Sequence, residues 1–139
     1  MEKPKRASFS IERYYFDQVH IDMDHSGDGL YINFQPSGIF NVKNKKYNLS
    51  FIFSAFSSEE EGIKPFVKVK CVGVFKFEDV DSLQDIPEFF YRNSIAILFP
   101  YMRAYVSMIT NQANIQSIML PTLNLTSLEK PLRENTTTE

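Results

Sequence analysis

The segment "HIDMDH", residues 20–25, holds the side chains of this sequence best suited to chemistry. His20, Asp22 and His25 are ligand types for a zinc-like ion, and either imidazole could serve as a proton carrier near neutral pH. From Val19 onward, however, the sequence alternates, so that Val19, Ile21 and Met23 share one strand face and His20, Asp22 and Asp24 the other. His25 falls in the turn "HSGDG". Exposed strand polarity accounts for all of them, no fourth ligand suggests itself, and the expectation is that no metal binds. The second candidate is the single cysteine, Cys71. It shares a strand face with valines and reads as a small buried hydrophobe, not a nucleophile. One cysteine also excludes an intramolecular disulfide. Glycine loops that cradle phosphate, GxSxG and CxxC do not occur. The residues give no case for an enzyme or a cofactor.

The elements that carry these residues are strands first and helix second. "FSIERYYFDQVHIDMD" and "LYINF" read as strands, the latter placing Leu30, Ile32 and Phe34 together until Pro36 and Gly38 break it. "GIFNVKNKKYNLSFIFSAF" reads as a strand bent at Asn44 to Lys46, with Tyr47, Leu49, Phe51, Phe53 and Ala55 on one face. After the connection "SSEEEG", the strand "PFVKVKCVGVFKFE" sets Val67, Val69, Cys71, Gly73, Phe75 and Phe77 opposite Lys68, Lys70 and Lys76. Three or four antiparallel strands thus fill residues 9–78. Those lysines lie away from the aromatics, which argues against a base-stacking nucleic-acid platform.

The period then changes. "DVDSLQDIPEFFYRNS" suits one or two short helical turns, and a helix is expected from about Pro100 to Gln112, because a proline in a first helical position costs no hydrogen bond. At 100° per residue, Tyr101, Tyr105 and Met108 make one apolar stripe and Met102, Val106 and Ile109 another. Only Arg103, Ser107, Thr110 and Asn111 remain for water. One stripe can cover the sheet; the other asks for a second protein surface. The segment "NIQSIMLPTLNLTSLEKPLRENTTTE" reads as apolar and extended, then polar, with Pro131 stopping any helix begun near Thr126.

Composition agrees with one domain. The 139 residues are 43% hydrophobic and 23% charged, with a net charge of −2 that gives no reason to expect a polyanion partner. Core and surface lean on 13 Phe and 7 Tyr, with no Trp. No run approaches the roughly 20 apolar residues of a membrane span, nor has residues 1–20 a signal-type apolar core. The expected place is the cytoplasm.

The stretch "ILFPYMRAYVSMITNQANIQSIMLPTLNL" resembles the signature region of the SecB protein-export chaperones, where an apolar "NILFPYAR"-like segment opens the long helix and a "LxLxPxNF"-like segment follows. "FSIERYYFDQVHID" and "PFVKVKCVGVFKFE" are similar to two of the family's strands. The resemblance spans residues 9–128. It implies an α+β fold: a four-stranded antiparallel sheet with one long helix and short helical segments packed on one face, flanked here by tails at 1–8 and 129–139. It also implies a homotetramer, a dimer of dimers with the long helix between dimers, and a holdase for unfolded precursors that uses no nucleotide and has no active site.

By position, Leu30, Ile32, Phe34, Met119, Leu123, Leu125 and Leu128 match the family's client-binding segments. The expected oligomer interface is Tyr101, Tyr105 and Met108 on the helix with Val67, Val69 and Cys71 on the strand. Family members present acids to the SecA motor from the outer sheet face. At the matching positions stand Gln18, Asp22 and Lys68, one acid in three, which weakens the expectation that SecA is a partner. Such a loss suits a SecB-like chaperone dedicated to a toxin–antitoxin pair, and the sequence does not choose between that and general export. The rival class is a small α+β ligand-binding or enzymatic module whose apolar face lines a closed pocket.

Overall fold

The computed structural model describes residues 8–24, 28–121 and 123–139. Its sheet has five strands in the order β1-β4-β3-β2-β5: β1 Ser8–Ile21, β2 Tyr31–Asn41, β3 Lys46–Phe56, β4 Val67–Glu78 and β5 Thr136–Thr138. The first four are antiparallel, as expected; the fifth pairs parallel to β2 and makes the sheet one strand larger than the expected four. One face of β3 and β4 supplies the core. Tyr47, Leu49, Phe51, Phe53 and Ala55 are fully buried there, facing Val67, Val69, Cys71 and Phe75 from the neighbouring strand. Val67, Val69 and Cys71 therefore lie wholly inside the chain's own core, and the expectation that they meet a second subunit gives way to that burial.

Burial also settles Cys71. Loss of water, with a smaller contribution from the Asp17 carboxylate, pushes its thiol up to about 12 from an ordinary 9.0. Burial likewise raises the phenols of Tyr47 and Tyr91. All three hold their protons more tightly folded than unfolded. Their contribution to stability is fully present below the unfolded values of 9.0 and 10.0, and is lost as pH rises above them. Urea midpoints should hold steady between pH 7 and 8.5 and fall steeply toward pH 11. A midpoint flat to pH 11 would contradict this burial.

Two β-bulges explain why β1 alternates only late. Its pairing with β4 shifts register between Ile11 and Arg13 and again between Phe16 and Gln18. Each extra residue resets the phase, so Phe9, Ile11, Tyr14, Phe16, Val19 and Ile21 all oppose core-facing residues of β4. Gln18, His20 and Lys68 lie on the outer face.

The helix α1 is longer than expected. It runs for 25 residues, Glu88–Gln112, with Pro87 as its N-cap and Pro100 inside it. Proline in a helix interior removes one backbone bond and crowds the carbonyl four residues back. Here both Pro100 and Ala96 lie on the exposed side of α1, away from the residues that pack on the sheet. Phe90, Ile95, Leu98, Met102 and Val106 are fully buried at helical spacing and cover the sheet. Phe90 sits in a nest of rings, with centroids of Phe9, Tyr47, Phe75 and Phe77 at 4.8, 4.7, 5.4 and 4.7 Å. Thr110, expected to face water, is fully buried; its hydroxyl donates to Val106 O at 2.8 Å and accepts from Ile118 N at 3.0 Å. It thereby ties the chain beyond α1 back to the helix. Asn114, in the left-handed region at φ 62°, ends α1.

The C-terminal residues fold as well, where a polar tail was expected. A 3-10 turn at Leu125–Leu128, with Asn124 capping Thr126 N, leads into α2, Glu129–Glu134. Pro131 lies in the first turn of α2, where its missing N–H costs nothing, so it does not stop this helix. Leu132 is fully buried. Then β5 joins the edge of β2, and the Tyr47 hydroxyl meets Thr136 Oγ1 at 2.6 Å. Gly38 makes room for this: a Cβ there would run into the Tyr47 hydroxyl.

Candidate functional site: an apolar groove beside β2

β2 continues through Pro36 and Gly38, which were expected to break it. The reason is orientation. Gly38 N–H donates to Asn135 O at 3.1 Å and Phe40 O accepts from Glu139 N at 2.9 Å, so these residues turn their backbone groups outward. Outward groups recur at every second residue of a strand, which puts Ile32, Phe34 and Pro36 in the same outward set. Proline at such a position takes nothing from the ladder with β3.

Five of the seven residues expected to meet a client converge. Ile32 and Phe34 from β2, with Leu123, Leu125 and Leu128 from the segment after α1, line one open groove of about 300 Å³ together with Asn33, Asn124 and Ser127. All five leucine, isoleucine and phenylalanine side chains are half-buried, touching the core yet reachable from solvent. Phe34 is steadied by Phe51 and Phe53 at 5.4 and 5.5 Å and by Phe99 at 6.0 Å. Leu30 lies in the next recess along β2, about 370 Å³, with Phe66 and residues 115–118. Met119 stands apart at 74% exposed, in a third recess of about 390 Å³ against Phe99, Pro100 and Arg103 of α1. A further recess of about 360 Å³ continues the line of β2 at Phe34 to Ser37, walled by Ile52, Pro131 and Asn135. Sequence reading missed this last one, because it depends on α2 folding back onto the sheet.

The helix stripe expected to seek a partner is already half-covered by its own chain. Tyr101 stacks on Tyr14 and Tyr105 on Phe16, each pair with ring centroids 4.0 Å apart. Tyr14, Tyr101 and Met108 still remain exposed, Met108 by 52%. The signal for this pairing was the aromatic run "RYYF", whose phase the bulges obscured.

The outer sheet face is not acidic. Lys70 pairs with Asp17 at 3.4 Å and Lys46 with Glu12 at 3.0 Å, while Lys68 and Lys76 are exposed among them. Gln18 opposes Lys70, and Asp22 follows the end of β1, its N–H bonded to Phe66 O. Among the described residues no three His, Cys, Asp or Glu come together as a metal site, and His25 lies outside them. No described helix is long and apolar enough to cross a membrane.

Comparison with known proteins agrees with this architecture. The family model for the preprotein translocase subunit SecB matches residues 2–130. The chain belongs to the SecB family. Membership makes it a chaperone without enzymatic activity. A relative of this SecB-family protein is the uncharacterized protein MJ0357 of Methanocaldococcus jannaschii. It is 26% identical over 147 aligned positions, covering 98% of this chain and 94% of the relative. The SecB-like chaperone Rv1957 of Mycobacterium tuberculosis, solved with a ChAD peptide from the antitoxin HigA1, shares the fold. The TM-score is 0.63 at 12% identity, covering 84% of this chain and 91% of that one.

Proposed function

We propose that this SecB-family chaperone is a cytoplasmic, nucleotide-independent holdase that keeps unfolded or precursor polypeptides in the groove beside β2. The observation that carries this is the convergence of Ile32, Phe34, Leu123, Leu125 and Leu128 on one open apolar channel with further recesses before and after it. An extended client buries apolar side chains there, worth roughly 25 cal/mol per Å². Several such sites on one client add through effective concentration. The relative solved with an antitoxin peptide supports a polypeptide ligand, and the mixed, lysine-bearing outer face supports a client set that does not depend on SecA docking. The test is a titration of fluorescently labelled, permanently unfolded protein followed by anisotropy. Saturable binding to the unfolded form, with none to its folded counterpart, is expected. Equal binding to both, or to neither, would contradict the proposal.

The same reading takes the partly exposed stripe of Tyr101, Tyr105 and Met108, with Tyr14 beside it, as the contact between dimers of a homotetramer. Met108 is the better probe than Tyr105, whose ring supports Phe16 inside the chain. Met108→Asp should halve the mass measured by light scattering behind a sizing column while leaving the circular dichroism unchanged, because the new carboxylate would be buried without a partner. An unchanged mass would place the contact elsewhere.

A further inference from the structure

The chain between α1 and the groove hangs on one side chain. Residues 116–121 form neither helix nor strand. Among the described residues, the backbone of this stretch makes one hydrogen bond, from Ile118 N–H to Thr110 Oγ1 at 3.0 Å. Thr110 is fully buried in the last turn of α1, and Ile118 is 4% exposed. The helix itself has no need of the hydroxyl. Threonine is a weaker helix former than alanine, and the Val106 carbonyl to which Oγ1 donates already receives the Thr110 N–H in an α-helix. Ile118 does need it, because a buried N–H must find an acceptor. The bond also sits where two recesses meet. Residues 115–118 are one wall of the Leu30 recess. Met119, the next residue, lines the recess against Phe99, Pro100 and Arg103. Ile118 and Leu120 on either side of it are buried in the core. The one further tie to α1 is exposed and longer, with Ser117 Oγ 3.4 Å from Ser107 Oγ and from Ser107 O.

We infer that Thr110 is a positioning residue for the client surface: its hydroxyl fixes residues 115–119 against α1 and so sets the shape of the recesses at Leu30 and Met119. This rests on the client-binding reading above and names the side chain that holds its surface in place. Thr110 is itself fully buried and meets no client. It acts through Ile118, and through the wall that Ile118 anchors. Without the hydroxyl the wall keeps its apolar anchors, Ile118 and Leu120, but leaves a buried N–H unpaired. Moving the segment to hydrate that N–H then shifts both recesses together. The apparent affinity for a client falls with the fraction of molecules whose wall is in place.

The experiment compares the unmodified protein with Thr110→Val, which keeps the shape and loses the hydroxyl, and Thr110→Ser, which keeps the hydroxyl and loses a methyl. Each is titrated into a labelled, permanently unfolded protein at a temperature where circular dichroism shows all three folded. Thr110→Val should bind about fivefold or more weakly, and Thr110→Ser within about twofold of the unmodified protein. A merely structural role would not give that split, since serine also removes buried apolar volume. Amide exchange with deuterated water supplies a second readout. In the unmodified and serine proteins the Ile118 amide should exchange at least about tenfold more slowly than those of Gln116, Ser117 and Met119, and in Thr110→Val it should lose that protection. Exchange of Ile118 as fast as its neighbours in the unmodified protein would overturn the inference without any variant. Unchanged affinity in Thr110→Val, or equal losses in both variants, would overturn it and leave the client-binding reading standing. Failure of the unmodified protein to bind would sink that reading and the inference with it.

Discussion

Phe90→Ala is expected to destabilise the protein by about 3–5 kcal/mol, the range for removing a large aromatic from a packed core. A domain of this size is stable by about 5–15 kcal/mol in all, so the variant should be marginal or unfolded at 37 °C. The reason is position. Phe90 lies in the first turn of α1 and is fully buried. Its ring meets β1 through Phe9, β3 through Tyr47 and β4 through Phe75 and Phe77, all edge-on or tilted. Alanine there leaves a void bounded by four elements, none of which can shift without disturbing the sheet. The urea midpoint should fall with the slope unchanged. A loss below about 1 kcal/mol would mean the helix is anchored elsewhere along its length.

The second large effect is functional. Replacing Leu123 and Leu125 together by aspartate should cut affinity for an unfolded client by about tenfold or more, because a client entering the groove would have to strip water from two carboxylates. Both leucines pack against the core with only part of each side chain reachable, and the segment is held by the Asn124 cap and the buried Leu132 beyond it. Stability should fall with the lost apolar burial, by about 2–3 kcal/mol, so thermal melting sets the temperature at which both proteins are folded and their affinities are compared. Full client affinity in a well-folded double variant would remove this groove from the account.

Much of the fold was legible because burial follows period. The aromatic alternation of β3 and the valine alternation of β4 gave both the strands and their inner face, and Met102 with Val106 gave the stripe of α1 that covers them. What stayed hidden has identifiable causes. Two bulges in β1 shifted its phase, so its aromatic run could not be assigned to a face from spacing alone. Proline misled three times: at Pro36, where only an edge position makes it harmless; at Pro100, which lies inside α1 on its exposed side; and at Pro131, in a first helical turn. In each case the deciding fact is where the proline sits in the finished element, and spacing alone does not give that. Thr110 was taken for a surface residue because its buried partner, Ile118 N–H, lies beyond the helix.

The candidate site divided in the same way. Ile32, Phe34, Leu123, Leu125 and Leu128 could be named from the SecB resemblance and the apolar pattern, and the structure gathers them in one groove. Val67, Val69 and Cys71 could not be told from interface residues by sequence, since a strand face bound for the core and one bound for a partner carry the same side chains. The recess at Phe34 to Ser37 needed α2, whose six residues include a proline and one buried leucine and so give almost no helical period.

The central claim is that this SecB-family chaperone holds unfolded chains, and light scattering tests it most directly. A chemically unfolded, slow-refolding protein is diluted into buffer with and without it, no nucleotide added. Suppression of aggregation at near-stoichiometric amounts is the predicted result. Scattering unchanged across a broad molar excess would contradict the account.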